Sequence, residues 1–210
     1  MTSLTDAARH LKRPRRRNRG ALPALILMTD DERLPDPVAS IEALPRGSAV
    51  ILRHYRMADR ESLARKLVRL CRRRGIKLLI AGDARLAAAV GAHGLHLPEG
   101  MAQRRARHGW ARRRKGWFLT VSAHSRRSLF MAARSGADAA LLAPVFTTAS
   151  HPTTPALGPL RFAAWVRNSP VPVYALGGIT RANASRLNHT GLVGIAAIGG
   201  LAVDPKAPRV

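Results

Sequence analysis

The chain is poor in several things, and each shortage narrows what it can be. It has one cysteine, Cys71, in 210 residues, so no internal disulfide can form. A reducing cytoplasm is the expected location. No apolar run approaches the roughly 20 residues that cross a bilayer, so no membrane association is expected. The opening stretch, MTSLTDAARHLKRPRRRNRG, lacks the apolar centre of a secretory signal. Aromatic residues make up 4% of the chain, too few for the stacking platforms that hold single-stranded nucleic acid. Acidic groups are the scarcest charge: 12 Asp and Glu stand against 36 Lys and Arg, a formal net charge of +24.

That imbalance raises polyanion binding as a reading. The cations cluster at Arg9–Arg19, Arg60–Lys77 and Arg104–Lys115. A charge run is usually a solvated face, and the second and third clusters are read that way. Non-specific polyanion contact is assigned to the first, which lies in residues 1–20. That segment is polar, basic and broken by Pro14 and Gly20, and reads as a disordered arm.

What the chain does have is a repeated alternation over residues 21–210, 46% of the whole sequence being hydrophobic. Short apolar runs of strand character fall at Ala24–Met28, Ala49–Arg53, Lys77–Ala81, Gly94–Leu97, Trp117–Ser122, Ala139–Ala143, Val171–Leu176 and Val193–Ile198. Helix-compatible stretches lie between them. In Asp59–Arg74, for example, Leu63, Leu67 and Leu70 recur at helical spacing and Gly75 is a natural C-cap. Continuous rather than alternating apolar runs indicate strands buried on both faces, and strand-then-helix order indicates parallel pairing. The fold class is α/β, a single (β/α)8 TIM barrel with a basic disordered N-terminal arm; an open doubly wound sheet is the alternative. Few residues follow Gly200, so the last helix is nearly missing. A partner subunit in a homo-oligomer is one way to cover that side.

In such a barrel the chemistry sits where the strands end. Arg53 ends the second strand and could bind an anionic substrate or pair with Asp83. Asp83 follows the third strand as a metal ligand, a base or simply an N-cap. Ser122 and His124 end the fifth, where an imidazole suits general acid–base work. Gly177–Gly178 and Gly199–Gly200 follow the seventh and eighth, where barrels hold phosphate on backbone N–H groups. His96 is expected to face packing; His54, His93 and His108 are expected at the surface.

The segments MTDD, GDARLAAAVGAHGLHLPEG, TVSAHS, LLAPVFTTASHPTTPALG, YALGGITRANASRL and GIAAIGGL, in one order over about residues 24–201, resemble the thiamin phosphate synthase and TenI family. The resemblance implies small phosphorylated thiazole and pyrimidine substrates. Synthases join an aminopyrimidine diphosphate to a thiazole phosphate and release diphosphate, with Mg2+ and basic residues on the leaving group. TenI-like members tautomerise a thiazole carboxylate phosphate, with a histidine as acid and base.

Carried over residue by residue, Arg53, Asp83, Ser122, His124, Thr148, Ser150, Gly177 and Gly178 match family positions. Tyr55 and His151 stand where lysines are usual, Gly82 replaces an asparagine, and Met101 replaces the second metal aspartate. Gly199 stands where many members have serine. Tyr55, Thr148, Ser150 and His151 are therefore candidate substrate contacts. Mg2+ would rest on Asp83, with Glu99 as its candidate partner; Arg56 is a candidate replacement for a lost cation. The thiazole-phosphate side matches while the diphosphate side departs. The expected role is thiazole phosphate binding with TenI-like tautomerase or divergent synthase activity. A fully active synthase and a non-catalytic phosphate- or polyanion-binding barrel are the alternatives.

Overall fold

The eight apolar runs form eight short parallel strands: β1 (Leu25–Met28), β2 (Ala49–Leu52), β3 (Lys77–Ala81), β4 (Gly94–Leu97), β5 (Phe118–Ala123), β6 (Ala139–Leu142), β7 (Val173–Leu176) and β8 (Gly194–Ala197). In the computed structural model, which describes residues 4–11, 22–108, 114–148 and 153–203, each pairs with the next, and β8 pairs back onto β1, closing the barrel. The open-sheet alternative is thereby set aside. Helices α2 (Val38–Ala43), α3 (Arg60–Arg74), α4 (Ala84–Ala89), α5 (Glu99–His108), α6 (Arg126–Arg134), α7 (Gly158–Arg167) and α8 (Arg181–Ala184) connect the strands.

Period-2 alternation along each strand sorts the apolar side chains into two cores. Ile26, Ile51, Leu79, Leu141 and Tyr174 fill the barrel interior. Leu27, Val50, Leu52, Ile80, Leu142 and Ile195 face outward onto the helices. Two strand glycines stand where the barrel leaves no room for a side chain. A Cβ on Gly194 would stand 2.7 Å from the Tyr174 ring, and one on Gly94 would collide with the Phe118 backbone. Tyr174 is fully buried, and its hydroxyl donates to Pro23 O (2.8 Å).

The longest helix shows how local sequence sets its own ends. Asp59 caps α3 by accepting the Ser62 N–H (3.1 Å), and Gly75 closes it in the left-handed region at φ 64°. Its inner stripe is Ala64, Leu67, Val68, Leu70 and Cys71. Burial pushes the Cys71 thiol up to about 12, so it stays a small apolar side chain.

The N-terminus departs from expectation. Residues Leu4–His10 form a helix, α1, where an arm without structure was expected. Leu4, Ala8 and Leu11 are buried, and α1 packs on α8 and on the 3₁₀ turn Gly199–Leu201 after β8. The physical reason is the i, i+4, i+7 spacing of these three residues, an apolar stripe inside a polar segment. The chain itself thus covers the side that lacks a full eighth helix. Residues 12–21, the rest of the expected arm, lie outside the described residues. After Gly199–Leu201 the chain crosses to α2, where Val203 N–H donates to Ser40 Oγ (2.9 Å).

Candidate functional site

Arg53, Tyr55, Asp83, Glu99, Ser122, His124 and the glycine pairs lie at or after strand C-terminal ends, whereas Ser150 and His151 lie outside the described residues. Beneath them is a polar layer. His96 points into the barrel, fully buried, with Nδ1 2.9 Å from Thr120 Oγ1 and Nε2 3.0 Å from Ser122 Oγ. Burial, with the Arg53 charge as a lesser cause, pushes its pKa down to about 3, so the ring is neutral. It packs, as expected, yet it also orients Ser122.

The fifth strand end carries the clearest chemistry. His124 Nδ1 lies 2.7 Å from Glu99 Oε2, and the same oxygen accepts the His124 backbone N–H (3.1 Å). A carboxylate only accepts, so Nδ1 carries the proton and Nε2 is left for an incoming group. Gln103, one turn along α5, donates to Glu99 Oε1 (3.2 Å). Ser125 and Ser128 form a capping box at the start of α6, and Ser128 Oγ also accepts the His124 N–H (2.9 Å). The imidazole is therefore anchored at its ring and at its backbone.

The second strand end is built on Thr29, fully buried at the end of β1. Its Oγ1 accepts the Arg53 N–H (3.0 Å) and lies 2.8 Å from His54 Nδ1. His54 is fully buried, and its Nε2 donates to Pro35 O (3.1 Å), because residues 30–36 fold back over it. The expected surface position is wrong for it. His93 too is half-buried rather than exposed, its Nδ1 accepting the Leu78 N–H (3.0 Å) at the other end of the barrel. The His108 side chain lies outside what is described.

Arg53 faces Asp30, not Asp83, at 3.9 Å. Asp30 is held more tightly by Arg33 (2.8 Å), whose hydrogen bond keeps the Asp30 carboxyl well below the usual carboxylate range. Arg53 is thus loosely paired and partly open at the mouth. Arg56 lies apart, paired with Glu32 (3.0 Å), both exposed.

Arg60 is a residue that sequence reasoning missed. Its Nη2 donates to Leu52 O (3.1 Å) and Ala81 O (2.7 Å), tying together the ends of β2 and β3. Its guanidinium lies 5.2 Å from the centroid of the Tyr55 ring. Its Nε is buried and has no hydrogen-bond partner among the described residues. A Cβ on Gly82 would lie 3.4 Å from Tyr55 and 3.7 Å from Met101 Sδ. Tyr55, Gly82 and Met101 therefore meet at the mouth, as aromatic ring, bare backbone and thioether.

As a donor set for Mg2+, Asp83 and Glu99 do not fit. Asp83 Oδ1 caps α4 through the Leu86 N–H (2.8 Å), while both Glu99 oxygens are taken by His124 and Gln103. No three His, Cys, Asp or Glu side chains converge on a metal-sized gap among the described residues.

The paired glycines divide by role. Gly177 and Gly178 have φ of 94° and 64°. A Cβ on Gly177 would come within 2.9 Å of Pro144 Cα, and one on Gly178 would collide with Thr147 O and lie 2.6 Å from Phe146 O. The β6 loop thus lies against this backbone, joined by Val145 N–H to Leu176 O (3.0 Å) and Phe146 N–H to Gly177 O (3.1 Å). Arg186 stacks over Phe146 at 5.5 Å. Gly200 lies under Leu4, whose Cδ2 would be 2.9 Å from an added Cβ, whereas nothing lies within 4 Å of one on Gly199.

Residues 25–201 match the family described as thiamine monophosphate synthase. The thiamine-phosphate synthase of Geobacillus kaustophilus (strain HTA426) is 36% identical over 155 residues, 70% of this chain and 66% of its own length, a little short of two thirds. That of Thiobacillus denitrificans (strain ATCC 25259 / T1) is 33% identical over 189 residues, 86% of this chain and 85% of its own. Among solved structures, a thiamine phosphate pyrophosphorylase from Pyrococcus furiosus superposes with a TM-score of 0.69 at 26% identity, covering 85% of this chain and 86% of that one. With the match running through every strand of the closed barrel, the chain belongs to the thiamine monophosphate synthase family.

Proposed function

We propose that, within thiamin biosynthesis, this barrel binds a thiazole phosphate at the β7–β8 end and moves a proton on its ring, as a TenI-like tautomerase. The observation that carries this reading is the Glu99–His124 pair at 2.7 Å. Proton removal from a carbon acid needs a base held in one tautomer, and Glu99 holds Nδ1–H so that Nε2 can take the proton and return it. Ser122, fixed by neutral His96, lies on the same strand end as a hydrogen-bonding partner for the substrate. Arg53, loosely paired to Asp30, supplies a cation for a ring carboxylate. Gly199, with open space above it, and the neighbouring Gly177, Gly178 and Gly200 backbone are assigned to the phosphate. Tyr55, Thr148, Ser150 and His151 are assigned to the remaining contacts.

The experiment offers the purified protein a thiazole carboxylate phosphate of either double-bond arrangement and follows isomerisation by NMR. Isomerisation that His124→Ala abolishes is the expected result. A second reading, synthase activity, is supported by the names of the relatives. Mg2+-dependent thiamin phosphate formation from aminopyrimidine diphosphate and thiazole phosphate, lost in Asp83→Ala, would replace the tautomerase reading. Phosphate binding without turnover would leave a non-catalytic barrel. A cytoplasmic location belongs to the same reading; among the described residues no helix is long and apolar enough to cross a membrane.

A further inference from the structure

Cations stand at both ends of the barrel, but the acids that could offset them are gathered at one. In a parallel barrel, helix C-termini and strand N-termini share one face, opposite the mouth. Contacts fix the cations there. Arg46, before β2, lies against Gly75 at the end of α3, and Gly47 N–H donates to Gly75 O (2.9 Å). Arg72 donates to Gly91 O (2.8 Å), ahead of β4. His93, beside it, is held neutral by burial first and then by Arg72 and Lys77, the exposed first residue of β3. Phe118 N–H donates to His93 O (3.0 Å), which brings the turn carrying Arg114 and Lys115 to the same edge.

Acids are nearly absent from this face. Asp30, Asp31, Glu32, Asp59, Asp83 and Glu99 all follow strand ends or begin helices, at the mouth. Among the described residues only Glu42 and Asp138 lie at the opposite end, and Asp138 already accepts the Leu119 N–H (2.8 Å). Compensation of helix C-termini accounts for Arg72 and Arg73, in the last turn of α3. It does not account for Arg46, Lys77, Arg114 or Lys115, which lie outside helices.

We infer that this face, through Arg46, Arg72, Arg73, Lys77, Arg114 and Lys115, binds the phosphate backbone of duplex nucleic acid. It is independent of the chemistry at the mouth. Backbone contact needs only a row of cations. Single-strand binding would need exposed aromatic rings. Among the described residues the exposed large apolar side chains are Tyr55 and Met57 beside the mouth, Phe130 and Leu160 on helices, and Val203, so none of them belongs to this face, where Trp117 is half-buried. The same lack disfavours a lipid surface, where apolar side chains would insert.

The test is fluorescence anisotropy of the full chain with a labelled duplex of about 20 base pairs across a salt series. Lys77→Glu/Lys115→Glu removes cations from this face; Arg126→Glu/Arg127→Glu makes the same charge change at the mouth end. The first is expected to weaken binding at least tenfold and to lower the salt slope by about 2. The second is expected to weaken it less than threefold. Equal losses would reduce the effect to net charge and overturn the site, as would a wild-type chain that does not bind at low salt. Tighter partition onto anionic vesicles than onto duplex would also overturn it. Lys77→Gln/Lys115→Gln, with unfolding followed by circular dichroism, keeps the test valid if charge reversal unfolds the chain.

Discussion

Glu99 holds His124 at two points, its ring Nδ1 (2.7 Å) and its backbone N–H (3.1 Å), through one carboxylate oxygen. The two residues come from successive strand ends, 25 positions apart. The pair sets the histidine's tautomer and direction together, the requirement for a base that must return the proton it takes.

Removing either partner separates chemistry from positioning. His124→Ala should lower isomerisation by two to four orders of magnitude, the range of a lost general acid–base group. Glu99→Ala should lower kcat by about tenfold or more with KM little changed, and should free His124 to sample both tautomers. The 15N shifts of the His124 ring read the tautomer directly. Unchanged shifts in Glu99→Ala would show that the carboxylate does not set it.

Substitutions at the glycine pairs should part company. Gly178→Ala forces a Cβ into the Thr147 carbonyl at φ 64° and should cost more than about 2 kcal/mol by urea unfolding. Gly199→Ala meets open space and should leave stability within about 0.5 kcal/mol. It should instead weaken binding of inorganic phosphate or a phosphorylated thiazole. Unaltered affinity in Gly199→Ala would remove that backbone from the phosphate site.

Trimming the N-terminus should not be silent. Leu4 is 5% exposed and lies against Gly200. Leu4→Ala should cost about 2 kcal/mol or more by denaturant unfolding, the lower end for a buried leucine. A cost near zero would mean that α1 adds nothing to the closed barrel.

Acid should destabilise the fold through its buried histidines. His96 is neutral when folded, its pKa pushed down to about 3 from a usual 6.5, and that of His93 is lowered as well. Between the two His96 values the unfolded chain binds more protons, so stability falls as pH drops below about 6.5 and His96 contributes up to about 1.4 kcal/mol per pH unit. Loss of the Asp30 contribution follows only below about pH 4, because that carboxyl is depressed. Urea unfolding of wild type and His96→Gln from pH 7.5 to 4.5 checks this; parallel pH profiles would exclude His96 as a source.

Sequence by itself is enough for the strand order and the parallel pairing. Each of these is written locally, as an apolar run of four to six residues followed by a polar or glycine end. Ser122, His124 and the glycine pairs could be picked out for the same reason. Their partners could not. Whether Glu99 meets Asp83 or His124, whether Arg53 meets Asp30 or Asp83, and that Arg60 lies under Tyr55 depend on how neighbouring strand ends are turned toward one another. Residue type says nothing about that. The glycines at 177 and 178 carried a local signal, yet their crowding by Phe146 and Thr147 comes from a loop some thirty residues earlier in the chain. Likewise Leu4, Ala8 and Leu11 show helical spacing, but only packing against α8 and Gly200 makes that stripe fold. Side-chain contacts between distant segments are a property of the closed barrel, and so is the gathering of acids at the mouth, which leaves the cations of the opposite face without them.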